Sequence, residues 1–241
     1  MAEPTQLGLS VSELEMSITG RFLSGGDLLR VSLQCRDSFQ FSRVTRAWIS
    51  EGIPFAYKTM PLTFEAIRDW ISNRFGVAPR DVTLVGSARL SFSATDDYED
   101  YGRPFRPGSD RSSSDLDLAI VSKDQFDACT ASFQSWQADV LSGRFIVTDE
   151  YQKDNIERLP RNIRNGFIDP HKIVRTYGKI QPILFRMETL TKMLNASKIF
   201  PSTRKASVRI YKDWPSFDAQ MMKNIQSLKP IAAAKINQLQ S

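Results

Sequence analysis

The chain has 241 residues, of which 41% are hydrophobic and 24% are charged, and its formal net charge is +5. These values are typical of a soluble globular chain that is long enough for one elaborated domain or two small ones. No apolar stretch reaches the roughly 18 residues that a membrane-spanning helix needs. Two cysteines, Cys35 and Cys129, without a CxxC pattern exclude a disulfide scaffold and a Cys/His zinc site. The sequence start has no basic segment followed by an apolar run, so we expect a cytoplasmic protein.

The N-terminal part of the chain has a weak pattern. We expect residues 1–60 to form an extension packed on the core, with short strands or a flap over 28–58. The first clear element follows at 62–75, where apolar side chains recur at helical spacing. Thr63 is the expected N-cap of this helix, and Gly76 is its expected C-terminal stop.

Two strands and a polar loop come next. The run 81–85 is rich in β-branched residues and ends at a Gly-Ser turn formed by Gly86 and Ser87. Residues 94–113 are polar and rich in turn formers, which predicts a long loop. The apolar run 116–121 predicts the second strand.

The remaining elements are predicted from periodicity and turn signals. They are helices at 125–141 and 181–194, a short strand at 144–147, an irregular connector at 159–172, a third strand at 207–211, and closing helices at 216–228 and 231–239. We therefore separate a core, 61–215, from a C-terminal basic helical segment, 216–241. The single histidine, His171, stands beside a proline in the connector and is expected to be an ordinary loop or helix-start residue.

The positive charge is concentrated towards the C-terminus. Residues 201–241 contain seven Lys or Arg residues against Asp213 and Asp218, whereas the first 200 residues contain 25 positive and 25 negative side chains. A basic segment of this kind suits RNA or another nucleic acid as a partner. A solvated helix face explains it equally well.

Asp115 and Asp117 open the second predicted strand. Side chains alternate along a strand, so both carboxylates lie on one face, roughly 7 Å apart. They repel each other unless a cation lies between them, and hard oxygen ligands suit Mg²⁺ or Mn²⁺. Gly86 lets the backbone approach a phosphate, and Ser87 can donate its hydroxyl and N–H. Arg89 either reinforces this anion site or points into solvent.

The segment VGSARLSFS followed by SDLDLAIVS resembles the polymerase-β-type nucleotidyltransferase superfamily, whose signature is hydrophobic-Gly-Ser, a spacer, and Asp-x-Asp on the next strand. The resemblance is firm over 82–122 and extends more loosely back to residue 62. It implies an α+β fold with a mixed central β-sheet flanked by helices, followed by C-terminal helices.

The resemblance also implies a reaction, in which an NMP is transferred from an NTP to RNA or tRNA, to a protein, or to another nucleotide. Asp115 and Asp117 would then hold Mg²⁺ or Mn²⁺, while Gly86, Ser87 and Arg89 would bind the NTP. Members of the superfamily act in anti-phage defence and in toxin–antitoxin systems, so a protein partner encoded in the same operon is a further expectation.

Two features depart from the pattern of the family. The spacer between Ser87 and Asp115 has 27 residues, far more than is usual, because it includes the loop 94–113. This loop contains three arginines, which either contact substrate phosphates or belong to a flexible insertion. They are Arg103, Arg106 and Arg111.

The second departure concerns a third acid, which many members place on a later strand to deprotonate the acceptor. Arg209 stands at the expected position. Asp149, Glu150 and Asp213 are alternative candidates, and Asp169 is a weaker one. Without a third acid, the acceptor is itself acidic, or the protein is a catalytically inactive module that binds nucleotide, RNA or a partner protein.

Overall fold

The computed structural model describes residues 22, 24–35, 38–95, 97–197 and 201–239. The helices in these ranges are α1 (Gly25–Gln34), α2 (Ser38–Thr45), α3 (Pro61–Phe75), α4 (Ser87–Leu90), α5 (Lys123–Leu141), α6 (Glu150–Arg164), α7 (Ile180–Ala196), α8 (Trp214–Ser227) and α9 (Lys229–Leu239). The strands are β1 (Val82–Val85), β2 (Leu116–Val121), β3 (Phe167–Ile168) and β4 (Ala206–Tyr211). None of the described helices is both long enough and apolar enough to cross a membrane.

The four strands form one mixed sheet in the order β1-β2-β4-β3. β2 is antiparallel to β1 and parallel to β4, and β3 is antiparallel to β4. In this register Asp117 lies between Val85 on one side and Ser207 on the other. The fold class is therefore α+β, with a small mixed sheet flanked by helices, as the sequence predicted.

Helices cover both faces of the sheet. On the first face, α3, α5 and α7 pack on alternate strand residues in a core that is closed to solvent. On the second face, α1, α8 and α9 form a separate core with the other set of strand residues, such as Ala119 and Tyr211. Because side chains alternate, Asp117, Ser207 and Arg209 belong to this second face. The helices α1 and α8 therefore stand beside these polar side chains.

Local sequence explains where α3 begins and ends. Pro61 occupies its first turn, where a missing N–H costs nothing, so Met60 and not the expected Thr63 is the N-cap. Gly76 ends the helix in the left-handed conformation, with φ 65°, and donates its N–H to the Ser72 carbonyl. The expected glycine stop is thus confirmed.

The strands at β1, β2 and β4 and the helices α3, α5, α7, α8 and α9 confirm the predicted elements to within about two residues at each end. Three other predictions were wrong. Residues 28–58 hold helices α1 and α2 and not strands, residues 144–147 hold no strand, and the connector 159–172 contains the end of α6 and the whole of β3. α6 is strongly polar and includes Pro160, which hid its helical pattern.

The loop 94–113, in which residue 96 is not described, is attached to the rest of the protein at several points. Phe92 and Pro104 form an isolated β-bridge beside it. Tyr101 is buried and donates its hydroxyl to the Gly25 carbonyl at 2.6 Å. The Gly108 N–H reaches the Ser202 carbonyl at 2.9 Å, close to the start of β4. The loop is therefore anchored to α1 and to the segment before β4 at these points, while most of its described residues are exposed.

Candidate active site

The turn after β1 lies against the Asp117 carboxylate. Val85 is directly opposite Asp117 in the antiparallel pair, so the next residue, Gly86, leaves β1 beside the start of β2. Gly86 has φ 67° and ψ −152°, a conformation that only glycine adopts without strain. A Cβ at this position would lie 3.2 Å from Oδ2 of Asp117. The backbone conformation therefore requires glycine, and a Cβ at this position would also crowd the Asp117 carboxylate.

Asp117 itself is largely buried and has one close polar partner. The Ser207 hydroxyl, from the neighbouring parallel strand, donates to Oδ1 at 2.6 Å. Burial raises the pKa of Asp117 above its ordinary value, Ser207 counteracts this, and the Asp115 charge adds to the increase. A carboxylate in this setting is stabilised by any cation that can reach it.

Asp115 already has a cationic partner. Arg204, two residues before β4, donates from Nε to Oδ1 at 2.8 Å and from Nη2 to Oδ2 at 2.7 Å. This is a bidentate pair, which is the strongest geometry for an arginine and a carboxylate. The Arg204 side chain is 48% exposed and that of Asp115 is 27% exposed, so the pair lies at the surface edge of the site.

Arg209 also has an acidic partner, and it is Asp169. Nε of Arg209 lies 2.6 Å from Oδ1 of Asp169, and Nζ of Lys172 lies 3.0 Å from Oδ2. Burial opposes the ionisation of Asp169, but the two cations outweigh it and hold its pKa below the ordinary value. The Arg209 guanidinium also stacks over the Phe167 ring, 4.9 Å from its centroid.

Gly86, Asp117, Asp169 and Arg209 border a cavity of about 280 Å³ between the second face of the sheet, α1 and α8, whereas Asp115, Arg204 and Lys172 are not among its lining residues. Its apolar wall includes Leu28 and Met221. Its polar wall consists of Gly86, Asp117, Asp169, His171, Ser207, Arg209 and Asn224. The structure thus brings together Gly86, Asp117 and Arg209, which the sequence analysis singled out, and Asp169, which was the weakest of the candidate acids.

His171 was expected to be an ordinary loop residue, yet it lies on the polar wall of the cavity. Its Nδ1 is buried, with no hydrogen-bond partner among the described residues. Burial lowers the pKa of the imidazole below its ordinary value, so His171 is neutral at pH 7. It therefore adds no charge to the site.

The other predicted residues lie elsewhere. Arg89 is buried, donates to the Gly52 carbonyl at 2.8 Å, and has its pKa lowered to about 10 by burial. Asp149 and Asp213 are N-caps of α6 and α8, and accept the N–H groups of residues 152 and 216. Glu150 is exposed and pairs with Lys153. None of these four borders the cavity.

Ser87 begins α4, which is a single turn of four residues. The Gly86–Ser87 turn follows the first strand, as the sequence predicted. A helix of one turn has little macrodipole, so any anion binding here depends on the Ser87 hydroxyl and on backbone N–H groups.

The basic C-terminal segment is less uniform than its composition suggested. Arg204 and Arg209 are paired with acids inside the site. Lys205, Lys212, Lys223 and Lys229 are exposed. The described cations that remain on the surface are therefore spread over the two ends of β4, α8 and α9.

The donor set fits a Mg²⁺ ion that is shared with a substrate. Within the described ranges, no three or more Asp, Glu, His or Cys side chains are grouped so that they could hold a metal by themselves. Mg²⁺ commonly uses only one or two carboxylates and takes its other ligands from water and substrate phosphates. Asp115 and Asp117 provide two carboxylates, and Gly86 leaves the space beside Asp117 free of a side chain.

No protein family profile matches the chain, and the comparisons with curated proteins and with solved structures found no match. The functional assignment therefore depends on the residues and the geometry of the site.

Proposed function

We propose that the protein is a metal-dependent nucleotidyltransferase, which transfers an NMP from an NTP to an acceptor and releases pyrophosphate. The observation that carries the proposal is the close approach of the Gly86 position to the Asp117 carboxylate, where an added Cβ would lie 3.2 Å from Oδ2, with Asp115 two residues before Asp117. A turn that requires glycine and a pair of carboxylates are thus held side by side. Such a pairing joins a place for phosphate to a place for the cation that phosphate needs.

Asp115 and Asp117 would hold Mg²⁺ or Mn²⁺, which when bound neutralises the triphosphate and polarises the phosphorus that is attacked. The Ser207 hydroxyl orients the Asp117 carboxylate through its 2.6 Å hydrogen bond. Gly86 leaves room for a phosphate, and Ser87 can donate its hydroxyl and its N–H to a phosphate oxygen. During transfer, an acceptor oxygen bonds to the α-phosphorus while the bond to the leaving pyrophosphate breaks.

The acceptor must lose its proton in this step, and the site constrains where the proton goes. Asp169 is the other acid among the residues lining the cavity, but Arg209 and Lys172 keep it ionised with a lowered pKa. It is consequently a weak base near neutral pH. An acceptor group that is already ionised, such as a phosphate or a carboxylate, needs no base and suits this site best.

The test is incubation with each of the four α-labelled NTPs and Mg²⁺ or Mn²⁺, with and without total tRNA. Label is followed in protein, RNA and small-molecule fractions, and Asp117→Asn protein is treated in parallel. We expect transfer that depends on the metal and is lost in the variant. Absence of transfer by well-folded wild-type protein with every NTP and acceptor pool would contradict the proposal.

One observation favours a second candidate function: both arginines at the site form ion pairs with aspartates. Arg204 occupies Asp115, and Arg209 stands where the sequence pattern led us to expect a third acid. A catalytically inactive module that binds nucleotide, RNA or a protein partner would tolerate these pairs. Such a module would bind nucleotide or RNA without transferring label, and its binding would survive Asp117→Asn.

A further inference from the structure

We infer that Arg204 is the resident counter-ion of the two-carboxylate site, that a divalent cation displaces it from Asp115, and that the freed guanidinium then binds the triphosphate. The inference rests on the proposed function, because it takes Asp115 and Asp117 as the metal ligands. It adds a competition between a side chain and the metal for the same carboxylate.

The geometry of the pair carries the first step. Nε and Nη2 of Arg204 engage both oxygens of Asp115, at 2.8 and 2.7 Å. The Asp117 charge also acts on the Arg204 guanidinium and raises its pKa further. Arg204 therefore supplies the positive charge that two neighbouring carboxylates require, in the place where a metal would supply it.

The surrounding backbone shows that this juxtaposition is built into the fold. The parallel strands β2 and β4 begin at the same edge of the sheet. The Leu116 N–H bonds to the Lys205 carbonyl at 2.8 Å, and the Thr203 hydroxyl bonds to the Ser114 carbonyl at 3.2 Å. These bonds hold the two segments together without the ion pair. The Arg204 side chain can therefore leave Asp115 while the backbone stays in place.

The two arginines of the site differ in how firmly they are held. Arg209 is stacked on Phe167 and paired with an acid that is 3% exposed. Arg204 is 48% exposed, and its pair with Asp115 is correspondingly open to competition by a doubly charged ion. The planar fork that fits a carboxylate also fits a phosphate, so the displaced guanidinium has a second ligand at hand.

The first part of the experiment measures Mn²⁺ binding to the protein without nucleotide, by electron paramagnetic resonance of the free ion. We expect Arg204→Gln to lower the Kd for Mn²⁺ about fivefold, which is the scale of an exposed ion pair that no longer competes. Lys205→Gln is the matched control, because it removes the same charge at the next position from an exposed side chain. We expect it to change the Kd by less than about twofold.

The second part measures the NTP dependence of transfer. Arg204→Gln is expected to raise the KM for NTP about tenfold although it binds Mn²⁺ more tightly, because the phosphates lose a bidentate donor. Arg204→Lys keeps the charge but not the fork, so its KM should fall between those of the wild type and Arg204→Gln. Circular dichroism establishes that each variant is folded.

The outcomes separate this inference from the proposed function. If Asp117→Asn abolishes Mn²⁺ binding but Arg204→Gln leaves the Kd unchanged, the inference is overturned and the proposed function stands. If Lys205→Gln tightens binding as much as Arg204→Gln, a general charge effect replaces the inference. If the wild type binds no Mn²⁺ with or without NTP, the proposed function itself fails.

Discussion

Asp117→Asn tests the idea that Asp117 is kept charged for ligand binding at a cost to stability. Asparagine has nearly the same shape and can still accept the Ser207 hydroxyl. It removes a largely buried charge that Asp115 and Asp169 repel. We expect the free energy of unfolding of the metal-free protein to increase by about 1–2 kcal/mol at pH 7, the cost of an incompletely compensated buried group. For a chain of this length, that raises the Tm by about 3–6 °C.

The raised pKa of Asp117 determines in which direction the free energy of unfolding changes with pH. The raised pKa of Asp117 means that the folded protein keeps its proton to a higher pH than the unfolded chain does. Wild-type stability therefore declines as the pH rises from the ordinary carboxyl range through the pKa of Asp117 in the folded state, and the variant lacks this decline. The stability difference should shrink as the pH falls through the pKa of Asp117 in the folded state.

The assay is urea denaturation followed by tryptophan fluorescence at several pH values, in the presence of EDTA. Ser207→Ala is a useful comparison, because it removes the hydrogen bond from the Ser207 hydroxyl to the Asp117 carboxylate and should lower stability at pH 7. If Asp117→Asn destabilised the metal-free protein, or if its effect did not depend on pH, Asp117 would be a structural residue and our reasoning would be refuted.

Three further predictions concern the surroundings of the site. Arg209→Gln removes one of the two cationic partners of the buried Asp169 and leaves Lys172, so it should lower the free energy of unfolding by about 2–4 kcal/mol in urea titrations. Adding Asp169→Asn to this variant should recover part of the lost stability. Gly86→Ala should lower the free energy of unfolding by about 1–3 kcal/mol and abolish Mn²⁺ binding, because the new Cβ would crowd Asp117. Gly76→Ala, where the space around the new Cβ is open, should retain Mn²⁺ binding. Tyr101→Phe removes the hydrogen bond between the long loop and α1, so it should lower the free energy of unfolding by about 1 kcal/mol and speed up proteolysis of residues 94–113. Proteolysis at the wild-type rate would mean that this bond does not hold the loop.

The elements that position the site were accessible from the sequence because each is strongly patterned. β2 matches its predicted range with the two aspartates at its start, and the Gly-Ser turn follows β1, as expected. The strand β3 has only two residues, and such a short run does not stand out from a connector. Asp169 therefore ranked last among the candidate acids, although β3 pairs with β4 and carries Asp169 to Arg209.

The arginine pairs were inaccessible for a different reason. Asp115 and Arg204 are 89 positions apart, and Asp169 and Arg209 are 40 apart. Each pair becomes visible only once β4 is known to lie next to β2 on one side and β3 on the other. Arg209 at an expected acid position was a signal in the sequence, since a cation at a sheet centre usually has an acidic partner. Only the strand order identifies this acidic partner as Asp169.

The most direct test of the central claim is a crystal structure with Mn²⁺ and an NTP analogue whose α,β-bridge is not cleaved. The proposed function predicts an anomalous peak within coordination distance of Asp115 and Asp117, with the triphosphate against Gly86 and Ser87. It further predicts that Arg204 has moved from Asp115 to the phosphates. Manganese bound elsewhere, or an analogue bound in the cavity with both arginine–aspartate pairs intact and no metal, would contradict it.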